Sequence, residues 1–123
     1  MATGTVTFTE YALGPVKRIK CVWVSTAGGA ASDATANAYS GIIVSATTVP
    51  SVTAPTDDYD IVILDEDLAD VMQGALANRD TANTEVAAPT VKQSVRGKLT
   101  FTVSAAGASK GGTIYLDIVG SKL

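Results

Sequence analysis

Seven of the twelve acidic residues in this 123-residue chain lie between positions 57 and 70: Asp57, Asp58, Asp60, Asp65, Glu66, Asp67 and Asp70. Carboxylates at such spacing suggest two chemistries. A pair flanking a glycosidic bond could divide the acid, base and nucleophile roles of hydrolysis. Three in one turn, Asp65-Glu66-Asp67, offer the hard oxygen ligands that calcium takes. The same sequence weighs against both. Carboxylate-pair hydrolases need a deep aromatic-lined cleft, and the chain has one Trp and four Tyr in all. The EF-hand pattern fails as well: position 69 is Ala, no glycine follows at the turn, and Leu76 stands where the bidentate glutamate belongs. The stretch therefore reads as turn acids that face solvent and cap a helix, and no catalytic, metal-ligating or cofactor-binding residue is assigned.

Other residue types narrow the chemistry further. With no histidine and one cysteine, Ser-His-Asp and Cys-His arrangements and the common zinc sites are excluded. Cys21 shares a strand face with Ile19 and Trp23, so it reads as a reduced core thiol and Trp23 as a packing residue rather than a sugar-stacking platform. Gly28-Gly29 and Gly111-Gly112 lack the strand-to-helix context of a phosphate cradle and read as turns. The formal net charge of −3 and pI near 4.7 argue against nucleic acid. The basic clusters, Lys17-Arg18-Lys20 and Lys92-Arg96-Lys98, read as solvated strand faces. The start of the chain shows no basic and apolar leader pattern, and nowhere do about eighteen apolar residues run together. The expectation is a protein made in a cytoplasm, neither secreted by a standard signal nor anchored in a membrane, and not an enzyme.

The elements that position these residues follow from periodicity. Residues 5–11 and 16–25 alternate as strands, the second with Ile19, Cys21 and Trp23 on one face and Val22 and Val24 on the other, which places it mid-sheet. Residues 26–37 read as a surface loop or a loose hairpin tip. Residues 39–48 resume as a strand with Ile42, Val44 and Ala46 opposed to Ile43, Ser45 and Thr47, and Pro50 and Pro55 confine 49–56 to an extended connection. In the acidic stretch Tyr59, Ile61 and Ile63 share the buried face of a strand. Asp67 then reads as N-cap of a short amphipathic helix, 68–77, carried by Leu68, Val71, Met72, Ala75 and Leu76. Residues 85–95 read as an edge strand broken by Pro89. Residues 98–104 and 113–119, joined by a Gly-rich loop, read as a C-terminal antiparallel hairpin.

Seven or eight short strands with one short inserted helix predict a single mainly all-β domain over residues 1–123, an antiparallel β-sandwich or jelly-roll-like fold. A loose arm is expected at about residues 1–4, and both it and the loop 26–37 are expected to order against neighbouring subunits. A chain of this length buries roughly two-thirds of its unfolded surface.

The segments Val16-Lys17-Arg18-Ile19-Lys20-Cys21-Val22-Trp23-Val24-Ser25, Ala54-Pro55-Thr56-Asp57-Asp58-Tyr59-Asp60-Ile61-Val62-Ile63-Leu64-Asp65-Glu66-Asp67, Asn78-Arg79-Asp80-Thr81-Ala82-Asn83, Gly97-Lys98-Leu99-Thr100-Phe101-Thr102-Val103 and Gly112-Thr113-Ile114-Tyr115-Leu116 resemble, in this order, small virion structural proteins of tailed bacteriophages. The resemblance spans most of the chain and implies a non-enzymatic β-rich subunit that decorates or cements the phage head. It implies the phage major capsid protein and copies of itself as partners, with trimers at local symmetry axes, and the virion as location. No site residue follows from it. A head-to-tail connector or tail component is the alternative, and a carbohydrate- or protein-binding β-sandwich module a further one.

Overall fold

A computed structural model describes residues 4–122, so the expected N-terminal arm lies, except for Gly4, outside the described residues. Among those residues the architecture is mainly β: β1 (Thr5–Leu13), β2 (Val16–Val24), β3 (Ala31–Ala34), β4 (Tyr39–Pro50), β5 (Asp60–Leu64), β6 (Glu85–Ala87), β7 (Ser94–Gly97), β8 (Thr100–Ser104) and β9 (Gly111–Lys122). One antiparallel sheet runs β1-β2-β9-β4, with β6 and β7 both paired to the far side of β4. A second antiparallel sheet runs β3-β8-β5.

Period-2 patterning decides which faces are inside. Ile19, Cys21 and Trp23 of β2 are buried while Val22 and Val24 on the opposite face are exposed, and β2 lies between β1 and β9 in mid-sheet. Tyr59, Ile61 and Ile63 are likewise buried. Inward residues of both sheets join one hydrophobic cluster, tied by an edge-to-face contact of Phe8 with Phe101 at 5.3 Å and a tilted one of Trp23 with Tyr59 at 5.6 Å.

Six sequence expectations are corrected. The hairpin of 98–104 with 113–119 does not exist: β8 pairs with β3 and β5, whereas β9 pairs with β2 and β4. The connection crosses between sheets, pinned where Ser25 Oγ donates to the Gly107 carbonyl at 2.6 Å and accepts from the Lys110 N–H at 2.9 Å. The loop 26–37 contains β3, whose Ala31 is buried beside β8. In β4 a bulge sets Val44 and Ser45 against the single Asp117, so Ile43, Ala46 and Thr48 turn inward while Ile42 and Val44 are exposed. The strict alternation expected there is broken at that point. Gly111 and Gly112 are not a turn but open β9, and the Trp23 indole lies where a Cβ on Gly112 would stand, 2.9 Å away.

The helix expected over 68–77 is also absent. Positive φ at Leu68 (64°), Gln73 (57°), Gly74 (79°) and Asn78 (56°) breaks the segment into turns. Val71, Met72 and Leu76 are buried as the pattern demanded, but Leu68 is 77% exposed. A reason lies in the open side of β5. Val71 N–H donates to the Ile63 carbonyl at 2.9 Å, Leu76 carbonyl accepts from Ile61 N–H at 3.1 Å, and Arg79 N–H donates to the Tyr59 carbonyl at 2.7 Å. A helix would keep its amides for itself; these turns instead satisfy the strand edge.

Asp67 is not an N-cap. Asp65 Oδ1 accepts from the Asp67 and Ala69 N–H groups at 2.9 and 3.0 Å, and Asp70 accepts from Met72 and Gly74 at 3.0 and 2.8 Å. Asp70→Ala should therefore lower stability by about 1 kcal/mol, as loss of side-chain bonds to turn amides does, and Asp67→Ala should leave it unchanged. Urea denaturation of the two variants beside the parent measures both; equal losses would contradict the assignment.

Candidate functional site

Each carboxylate of the acidic stretch follows from the turn it sits in. Asp57 Oδ1 accepts from Thr81 N–H at 3.3 Å, Asp60 Oδ1 from Asn78 N–H at 2.9 Å and Glu66 Oε2 from Lys98 N–H at 2.9 Å. With Asp65 and Asp70, five of the seven acids brace main chain rather than converge on a common point. For Asp65 and Asp70 this is the local bonding that short polar side chains beside turn amides favour, whereas Asp57, Asp60 and Glu66 reach amides far along the chain. Among the described residues no group of three or more Asp, Glu or Cys side chains is arranged to hold a metal ion. Asp58 and Asp67 are exposed at turn positions, Asp58 with φ 64°.

An open cleft of about 820 Å³ lies between the 65–67 turn and the edge of the first sheet. Ser40, Gly41 and Ile42 of β4 and Ser94, Val95 and Arg96 of β7 form its floor, and Asp65 and Asp67 its acidic wall. Glu66 closes over Gly97, where a Cβ would lie 2.7 Å from the carboxylate carbon. The cleft was not foreseen, because its walls come from three segments far apart in sequence and no local pattern joins them. Chemically it offers hydroxyls, an amide at Gln93 and charges of both signs, which suits a polar contact surface.

The remaining candidates are dispersed. Cys21 is fully buried, and burial pushes its thiol up to about 12, so it is held as the thiol rather than the nucleophilic thiolate. Trp23 is buried against Tyr59 and presents no platform to solvent. Gly29 occupies a turn with φ 85°, its N–H donating to the Thr26 carbonyl at 3.0 Å. On the outer face of the first sheet Arg18 forms a two-point ion pair with Asp117, Nε to Oδ1 at 2.8 Å and Nη2 to Oδ2 at 3.1 Å. That hydrogen bonding, ahead of the partner's charge, holds the guanidinium above its ordinary pKa. Arg18 and Lys20 both lie over the Tyr115 ring, at 4.8 and 6.0 Å. From the other basic cluster, Arg96 lines the cleft while Lys98 N–H meets Glu66.

Comparison with known proteins finds no match: no family model, no curated protein and no solved structure is significantly similar to this chain.

Proposed function

We propose that this chain is a non-enzymatic structural protein of a tailed-bacteriophage virion, a head decoration or cement subunit that binds the major capsid protein and stabilises the shell. The two antiparallel sheets then form an antiparallel β-sandwich or a jelly-roll-like fold. The observation that carries the reading is the use of the acidic stretch. The one region whose residue types could have done chemistry directs five of its seven carboxylates at main-chain amides. The sequence resemblance supplies the setting and the partners: capsid protein and copies of the chain itself, with neither nucleic acid nor membrane involved. An open, polar, two-signed cleft suits weak repeated contact, and a particle multiplies each weak contact by its copy number. Stoichiometry on purified particles tests the proposal. A cement subunit should stain at a molar amount comparable to the major capsid protein. A connector or tail component would appear at a single ring's worth, and absence from particles together with saturable binding of a soluble ligand would favour a binding module.

A further inference from the structure

Every sheet has two edges, and among the described residues three of the four are blunted. The edge of β5 is covered by the turns that follow it. β6 and β7 have three and four residues, are separated by Pro89, and their connection is held by Gln73, whose side chain bonds both the N–H and the carbonyl of Val91 at 3.1 and 3.3 Å. β3 has four residues and carries Asp33. Shortness, proline, charge and covering segments are the devices that keep edges from recruiting further strands.

The outer row of β1 carries no proline and no charge, although β3 of the second sheet lies close beside it. The nine residues of β1 pair with β2 in continuous register without a bulge, and contain no Pro, Lys or Arg. Among the described residues no main-chain hydrogen bond joins it to any element except β2. Thr5, Thr7, Thr9 and Tyr11 form an exposed, uncharged outward row. Inward, Val6 and Phe8 pack on the core yet remain partly exposed, so the core is incompletely covered on this side. The single acid, Glu10, points inward and accepts a bond from Asn37 Nδ2.

We propose that two copies of this chain join through β1, antiparallel about a two-fold axis at Thr9, so that the first sheet runs on from one copy into the other. The strand is self-complementary in that register. Thr9 meets the second copy's Thr9, Thr7 meets Tyr11, Val6 meets Ala12, and the two Glu10 side chains are kept apart because each faces Phe8. Residues directly opposite must share a face, as any residue-centred axis ensures. An isologous pair of this kind closes on itself. The inference rests on the structural-protein reading and specifies how copies meet. It predicts a twofold pair in place of the trimer that the resemblance implies.

Sedimentation equilibrium of the isolated chain tests it without any particle. The parent should be a dimer. Thr9→Lys and Thr9→Glu should each weaken dimerisation at least about fivefold, because like charges then face each other at the axis, with no change in melting of the monomer. An equimolar mixture of the two should restore the dimer. Thr9→Cys should give a disulfide-linked pair under mild oxidation, which stands even if the charged variants fold poorly. A parent that stays monomeric, a trimer, or a mixture that fails to recover would overturn the proposal, as would β1 amides protected from exchange only on capsids. Particle loading is measured separately: a dimer that never loads defeats the function reading and leaves the pairing standing.

Discussion

Replacing Gly41 or Gly120 with alanine should cost on the order of 3–5 kcal/mol, enough to unfold much of a domain whose total stability is of the usual 5–15 kcal/mol. The two residues face each other across β4 and β9. A Cβ on Gly41 would stand 2.2 Å from the Val119 carbonyl oxygen and 2.9 Å from Gly120 Cα, and one on Gly120 would stand 2.1 Å from the Ser40 carbonyl oxygen and 2.7 Å from Gly41 Cα. All four obstacles are main chain, so no rotamer change relieves them. β4 cannot move aside either, because Gly41 also pairs with Val95 of β7. The strands must part and lose their ladder bonds at the place where three strands meet. Gly14→Ala is the control: it sits in the β1–β2 turn with φ 64° and nothing within 4 Å, so only the left-handed backbone penalty of about 1 kcal/mol applies. Denaturant midpoints of the three variants separate close approach from backbone strain. Equal effects at positions 14 and 120 would contradict the close approach.

What the sequence disclosed was face, and what it withheld was partner. Ile19, Cys21 and Trp23, or Tyr59, Ile61 and Ile63, announce an inward row because side chains alternate within one strand, a property of local geometry alone. Nothing local says that residues 100–104 and 111–122 belong to different sheets. Two alternating runs joined by glycines look the same whether the loop reverses the chain or carries it across the core. The bulge at Val44 is of the same kind: one added residue flips Ala46 from the face that strict alternation gives it, and only the facing Asp117 shows where the count slips.

The segment after β5 misled through a competition. Val71, Met72 and Leu76 recur at helical spacing and are buried as a helix would bury them. Yet Asp65 and Asp70 take the turn amides, and the unpaired side of β5 needs donors and acceptors that a closed helix could not give. Gly74 and Asn78, both with positive φ, were the available warning. The cleft had none, since Ser40, Asp67 and Arg96 come together only through the pairing of β4 with β7 and the placing of the 65–67 turn.

The face assignment of β5 carries the second large effect. Ile61→Asp should cost several kcal/mol or abolish folding, whereas Val62→Asp should cost about 1 kcal/mol or less. Ile61 is 2% exposed within the shared core, and Val62 points the other way and is only half-buried. At position 61 an introduced carboxyl loses its water within the hydrophobic core. Burial disfavours the charged form, so the folded-state pKa of that carboxyl rises above the ordinary aspartate value of about 3.9. The sign of the pH dependence follows. Above about pH 4 the unfolded chain releases the proton while the folded chain must keep it or bury a charge. The penalty relative to the parent therefore grows as pH rises and shrinks towards acid, where the carboxyl is neutral in both states. Val62→Asp keeps its carboxyl in contact with water, so its difference from the parent should stay nearly flat with pH. Thermal melts of the three proteins between about pH 3.5 and 7 read this directly. If Ile61→Asp is tolerated with a flat profile while Val62→Asp unfolds the chain, the register of β5 against β8 is wrong by one residue, and each face assignment from Tyr59 to Leu64 inverts.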